Sequence, residues 1–285
     1  MVNTASIIEG KTFGQERALY GSRQLTVKAC SFDGPEDGES ALKECSDITA
    51  IDCFFNLRYP LWHVHGLKIK ACNMSPLCRA AIWYSDNIEI LNTKMHGIKA
   101  LRECSDIDIK QCDINSDEFG WFTKNVKVDN TNAVGKYFMM QSQQLEFNRL
   151  KLTGKYSFQY IKNACFDSCE FDTKDAFWHA DNVTVKNSII KGEYLAWYSN
   201  KLTLVNCTII GTQPLCYCKN LKLINCKMTD TDLCFEKSQV DATILSPVIS
   251  IKNPACGKIY VPSVGSVIMD NDSYKGQIII TDTQL

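Results

Sequence analysis

The sequence predicts an all-β chain wound as a parallel β-helix of about 11 coils, a fold in which each coil buries its inward side chains only against its neighbours. Three observations carry the prediction: a repeat of 19 residues, apolar residues alternating within each repeat, and a column of the repeat filled by cysteine. The apolar residues that open successive repeats are Leu25, Ile48, Leu67, Ile88, Ile107, Val126, Leu145, Ala164, Val183, Leu202, Leu221 and Val240. Nine of the eleven intervals are 19 residues. The other two, 23 and 21, absorb the turn-rich Gly34-Pro35-Glu36-Asp37-Gly38 and two extra residues near Ser75 to Arg79, and both read as loop insertions.

Taken in chain order, residues 1–24 are expected to cap the open edge that a β-helix presents, with a short helix over Gln15 to Tyr20. Residues 25–239 are the parallel β-helix. Residues 240–285 hold the last coil and a C-terminal cap, because the pattern decays through Pro247, Pro254 and Pro262. The whole reads as a single domain.

Inside each repeat, position 1 and position 3 are apolar, as in Ile88 and Ile90 or Leu202 and Leu204, and this period of two implies a short strand. Position 5 is often Asn, at Asn92, Asn130, Asn187, Asn206 and Asn225. An amide carries both a donor and an acceptor, so stacked Asn side chains at a bend can bond one another about 4.8 Å apart. Position 6 holds Cys30, Cys53, Cys72, Cys112, Cys169, Cys207 and Cys226, about half of the chain's 15 cysteines. Thiols in such a column pack as small hydrophobes, and unpaired thiols in this number imply a reducing cytoplasm.

The other side of the coil carries the aromatic residues. Position 14 has no polar member (Leu61, Ile82, Leu101, Gly120, Met139, Phe158, Phe177, Ala196, Leu215 and Cys234) and is expected to point inward. All five tryptophans, Trp62, Trp83, Trp121, Trp178 and Trp197, fall at position 15, with Arg102, Met140, Gln159, Cys216 and Phe235 filling the column. Position 16 runs His63, Tyr84, Glu103, Phe122, Gln141, Tyr160, His179, Tyr198, Tyr217 and Glu236. Strand alternation would send position 15 outward as a ladder of indoles. The other reading places the indoles inside and exposes position 16, and a buried Arg102 would then need a charge partner or a cation–π sandwich. Position 13, apolar at Pro60, Ala81, Ala100 and Phe119, would widen an exposed apolar strip.

A net charge of −1 leaves no basic field for a nucleic acid or an anionic membrane. No apolar run approaches the ~20 residues that span a bilayer, and no export signal is visible, so the expected location is the cytoplasm. No CxxC pair with a zinc spacing occurs, so neither a metal nor a cofactor is expected.

The segments FFNLRYPLWH (54–63), CRAAIWY (78–84), GIKALREC (97–104), EFGW (118–121), GKYSFQY (154–160), TKDAFWH (173–179), GEYLAWYS (192–199) and GTQPLCYC (211–218) resemble the right-handed parallel β-helices of the pectate-lyase-like superfamily, and most closely a bacterial family of unknown function. The resemblance spans essentially the whole chain. It implies a right-handed helix whose Asn column marks the turn between the second and third sheets. Positions 13 to 16 would then form the first sheet, on whose outer face related enzymes hold polysaccharide. The superfamily's calcium-lyase and polygalacturonase patterns are absent: Val64 stands where the first Gly of a Gly-His-Gly would be, before His65-Gly66.

Two functions from different classes follow. In the first, the aromatic face binds an oligosaccharide or another sugar-containing ligand through Trp62, Trp83, Tyr84, Trp121, Tyr160, Asp175, Trp178, His179, Trp197 and Tyr198. Glycosidase- or lyase-like acid–base chemistry would then fall to Glu103 and Glu118, with His63 and Arg102 beside them, since glycoside hydrolysis needs two carboxylates. In the second, the chain is a non-catalytic scaffold whose aromatic face is a homo-oligomer or partner interface. A third class, thiol nucleophilic catalysis, would rest on Cys104, Cys216 or Cys218.

Overall fold

The computed structural model describes residues 6–34 and 39–281, so residues 35–38 of the first insertion, including Glu36 and Asp37, lie outside the described residues, as do 1–5 of the expected N-terminal cap and 282–285 of the C-terminal one. The chain is all-β, without a helix among the described residues, and winds as a right-handed parallel β-solenoid. It forms two compact units, Met1–Gln143 and Gln144–Leu285. Counted along the chain the two hold about 14 turns rather than 11.

In the first unit the expected columns pair in register: Leu25 with Ile48, Ile48 with Leu67, Leu67 with Ile88, Ile88 with Ile107 and Ile107 with Val126. Pairing starts earlier than the repeat suggested. Ser6 of strand Ser6–Glu9 lies opposite Leu25, so this segment is one more coil, and residues 15–20, expected as a helix, are a run of turns with Arg17 and Leu19 in left-handed conformation. The polar Ser6 hid that coil from a reading based on apolar openings.

In the second unit Ala164 pairs with Val183, Val183 with Leu202, and Leu221 with Val240. The C-terminal segment also keeps winding, since Ala242 pairs with Ile259 and Ile259 with Ile278. Its first step is 17 residues, as the pairing shows, which is why the 19-residue pattern faded there.

Each coil has three sides. Positions 1 and 3 face in, with Ile88 and Ile90 each 1% exposed. A second short strand follows the Asn bend. Its middle residue, position 8, also points inward and fills the core with Phe32, Phe55, Met74 and Met95 in the first unit and Phe171, Ile190, Ile209 and Met228 in the second. Like stacks on like: the Phe32 and Phe55 rings lie 4.8 Å apart and nearly parallel.

The third side, positions 12 to 16, is not a β-strand. Positions 12, 14 and 16 adopt left-handed φ in coil after coil, as at Tyr59, Leu61 and His63 (φ 58°, 62° and 53°) or Asp175, Phe177 and His179 (55°, 61° and 55°). A left-handed residue other than glycine costs about 1–2 kcal/mol. The alternation persists because it still lets successive coils bond: Leu61 N–H donates to the Ala41 carbonyl on one side at 2.9 Å, and His63 N–H to the Trp83 carbonyl on the other at 2.9 Å.

Candidate functional site

This left-handed alternation decides which columns face water. Position 14 points inward as expected, with Leu61, Ile82, Phe158 and Leu215 each 0% exposed. Position 13 also points inward: Ala81, Phe119 and Phe138 are 0% exposed, so the expected apolar strip outside is instead core. Positions 15 and 16 both face out, because the simple in-and-out rule holds only for β backbone.

The five indoles are half-buried on the outside, and each ring nitrogen is used. Trp62 Nε1 donates to the Ala80 carbonyl at 2.6 Å, Trp83 to Lys99 at 2.6 Å, Trp121 to Tyr137 at 2.6 Å, Trp178 to Tyr194 at 2.7 Å and Trp197 to Gln213 at 2.8 Å. Every acceptor is the position-12 carbonyl of the following coil. The ladder of coil-to-coil backbone bonds leaves the Ala80, Lys99 and Tyr194 carbonyls unused, so the indole satisfies them. Gln159 does the same for Asp175, with Nε2 3.1 Å from its carbonyl oxygen. Position 15 is thus a donor column, which explains why Gln stands among the tryptophans.

The ring faces are also occupied. Trp62 stacks on Trp83 with centroids 4.9 Å apart and planes 5° from parallel, and Trp178 stacks on Trp197 at 5.3 Å and 3°. Arg102 sits between indoles, its guanidinium carbon 5.2 Å from the Trp83 ring and 5.1 Å from Trp121. Arg102 thus makes two cation–π contacts, on the outer surface.

Position 16 forms the outermost column. In the second unit Tyr160, His179, Tyr198 and Tyr217 stack in sequence at 4.8, 5.1 and 4.8 Å. Tyr160 and Tyr198 are 44% and 47% exposed, yet the stacking shows solvent ring edges rather than faces. In the first unit His63 stacks on Tyr84 at 5.0 Å, the stack breaks at Glu103, and Phe122 then stands alone because Gln141 follows it without a ring. At the break lies a cleft of about 500 Å³ lined by Glu103, Cys104, Ser105, Phe122 and Lys124.

The expected catalytic group is only partly assembled. Glu103 is exposed and lines the cleft. Glu118, at position 12 of the next coil, does not line it and pairs with Lys99 at 3.6 Å. His63 is engaged by Tyr84 and Arg102 by the two indoles.

Asp175 is different. It is only 6% exposed, and burial is the main cause that raises its carboxyl above the usual carboxylate range. Lys174 opposes that shift, Glu193 adds to it, and Lys155 opposes it again. Lys174 itself is paired with Glu193 at 2.7 Å.

Cysteine is structural throughout the core. The seven position-6 thiols are buried, and each contacts two carbonyl oxygens, one of its own coil and one of the preceding coil, at 3.2 to 3.8 Å. Position 17 repeats the device with Ser85, Cys104 and Ser142 in the first unit and Cys218 in the second, a column the sequence reading missed. Burial pushes Cys104 and Cys216 up to about 12 and Cys218 to about 11, so the thiols considered as nucleophiles are held protonated.

The Asn column at position 5 is a bend column. All five Asn are left-handed, Asn206 bonds Asn187 at 3.3 Å, and Ala29, Asp52 and Ala71 adopt the same conformation without an amide. A second amide and acid column, at position 19, carries further bonds such as Asn125 to Asp106 at 2.6 Å and Asn182 to Asn163 at 2.7 Å. Among the described residues no group of three or more His, Cys, Asp or Glu could hold a metal ion, and no helix is long and apolar enough to cross a membrane.

A repeating solenoid with an aromatic outer column is the class that fold and site define. The chain belongs to the DUF3737 family, described as a protein of unknown function, over residues 6–281. Among solved structures it is similar to the catalytic domain of a GH87 alpha-1,3-glucanase variant in complex with tetrasaccharides, at 10% identity and a TM-score of 0.32, covering 97% of this chain and 64% of that one. No curated protein matches the chain.

Proposed function

We propose that this chain binds a carbohydrate-type ligand on its aromatic outer face, seated in the cleft where Glu103 interrupts the position-16 column. The observation that carries the reading is that interruption. In the first unit the column lacks a ring at Glu103 and again at Gln141, so Phe122 stands between them unstacked by any ring of its column, beside the Glu103 carboxylate and the Lys124 ammonium. A sugar needs both kinds of contact, an apolar surface for its C–H side and charged or polar groups for its hydroxyls. The second unit, taken by itself, offers the polar edges of Tyr160, His179 and Tyr198 to a sugar's hydroxyls beside Trp178 and Trp197.

The reading favours binding over turnover. Acid–base cleavage of a glycosidic bond needs two carboxylates, and only Glu103 lines the cleft. A place in the pectate-lyase-like superfamily and a reducing, cytoplasmic location belong to the same reading, the latter supported by fifteen free thiols.

The test is a titration of the purified protein with oligosaccharides, uronates and nucleotide sugars, followed by tryptophan fluorescence, since Trp121 lies against Phe122 with centroids 6.1 Å apart. A saturable response weakened tenfold or more in Glu103→Gln and Phe122→Ala supports the reading. Absence of any response, together with a stable oligomer that Tyr198→Ala or Trp178→Ala dissociates, replaces it with the scaffold whose aromatic face is an interface.

A further inference from the structure

The two departures from the 19-residue period in the first unit belong to the coils opened by Leu25 and Leu67, with the regular coil of Ile48 between them. In a solenoid, insertions collect on one face and build what the regular repeat cannot. A pocket of about 480 Å³ is lined by Gly34 from the first of these coils, Asn56, Leu57 and Arg58 from the coil between, Pro76, Leu77 and Arg79 from the second, and Ile98 beyond it.

The lining has two characters. Leu77 is 63% exposed and Ile98 38%, and with Leu57 and Pro76 they form an apolar wall open to solvent. Of the polar groups, most are already engaged. Asn56 donates to Asp33 at 2.8 Å and accepts from the Ser75 hydroxyl, and Arg58 is paired with Glu39 at 2.7 Å and lies against the Tyr59 ring. Arg79 is the exception: its backbone bonds Tyr59, but its guanidinium has no partner among the described residues. Among the described residues the pocket therefore presents one guanidinium without a side-chain partner, beside an apolar wall.

We propose that this pocket is a binding site for a small amphipathic carboxylate, its carboxyl on Arg79 and its apolar body against Leu57, Leu77 and Ile98. A guanidinium meets a carboxylate with two parallel N–H donors, a geometry that an exposed, unpaired Arg is free to adopt. Apolar side chains this exposed gain by being covered. The site is separate from the Glu103 cleft and does not depend on it.

The test is isothermal titration calorimetry of the intact chain with hexanoate, with 1-hexanol and acetate as probes lacking the charge or the tail. Saturable hexanoate binding, at least tenfold weaker for both other probes and for Arg79→Gln, is the expected result, because each removes either the charged pair or the apolar contact. Leu77→Ser is expected to weaken it several-fold. Unchanged thermal midpoints in both variants show that the fold is intact. No hexanoate binding, equal binding of 1-hexanol, or full binding by Arg79→Gln overturns the proposal.

Discussion

The indole nitrogen of Trp178 lies 2.7 Å from the carbonyl oxygen of Tyr194, which is the position-12 carbonyl of the next coil and takes no bond from the backbone ladder. Trp178→Phe keeps the ring and removes the donor, so we expect a loss of about 1 kcal/mol in urea unfolding. Trp178→Ala also removes the stack on Trp197 and is expected to cost about 2–4 kcal/mol. Equal stability of the Phe variant and the parent would remove the hydrogen bond as the reason for tryptophan in this column.

The Arg102 guanidinium fills the place of an indole between Trp83 and Trp121. Arg102→Trp should continue the stack and supply a donor for the Glu118 carbonyl, so we expect equal or greater stability. Arg102→Ala should lose about 1–2 kcal/mol through two cation–π contacts. Thermal unfolding of the two variants beside the parent distinguishes them, and a destabilised Trp variant contradicts the donor-column account.

Asp175 titrates against its own burial. Because its folded-state value is raised, the folded chain holds this proton more tightly than the unfolded chain, and stability falls as pH rises from the ordinary value of 3.8 through the raised one. Above that window the full penalty of a buried charge remains. Asp175→Asn is therefore expected to be more stable than the parent at pH 7 and to lose this part of the pH dependence, as read by denaturation midpoints between pH 3 and 8.

Thiol reactivity separates packing from chemistry. Of the fifteen cysteines only Cys165 and Cys256 are exposed. A chromogenic disulfide reagent at pH 8 should titrate two thiols rapidly in the native protein and the remaining thirteen only after denaturation. Fast reaction at Cys104 or Cys216, mapped by mass spectrometry, would contradict the burial that pushes both to about 12.

The strand register was legible because apolar openings such as Leu67, Ile88 and Ile107 do nothing except fill the core, and their spacing carries over directly into pairing. The aromatic side was half legible. Inward position 14 and outward position 15 were readable, but inward position 13 was not, since alternation assumes β backbone and this side alternates left-handed residues with almost no glycine to announce them. Gly120 is one of the few, and there the constraint is also steric: a Cβ would stand 2.1 Å from the Met139 sulfur. In the coil from Leu221 an extra residue in the bend shifts the frame. Phe235, counted at position 15, is buried with φ 66° in the manner of position 14, and Glu236 moves to the outward place. The role of the indoles was invisible, because a donor is recognised only when its acceptor is found.

Each position-15 indole donates its N–H to the coil that follows it and never to the one before. The bonds consequently form a directed series: donors belong to the earlier coil and acceptors to the later one. Pulled or digested from its C-terminal end, a unit would shed carbonyls and leave indoles idle at the new edge. Opened from the N-terminal end, it would shed indoles and leave bare carbonyls. The two ends of each unit are thus chemically unlike, and the direction of the chain is readable from the edge that is exposed.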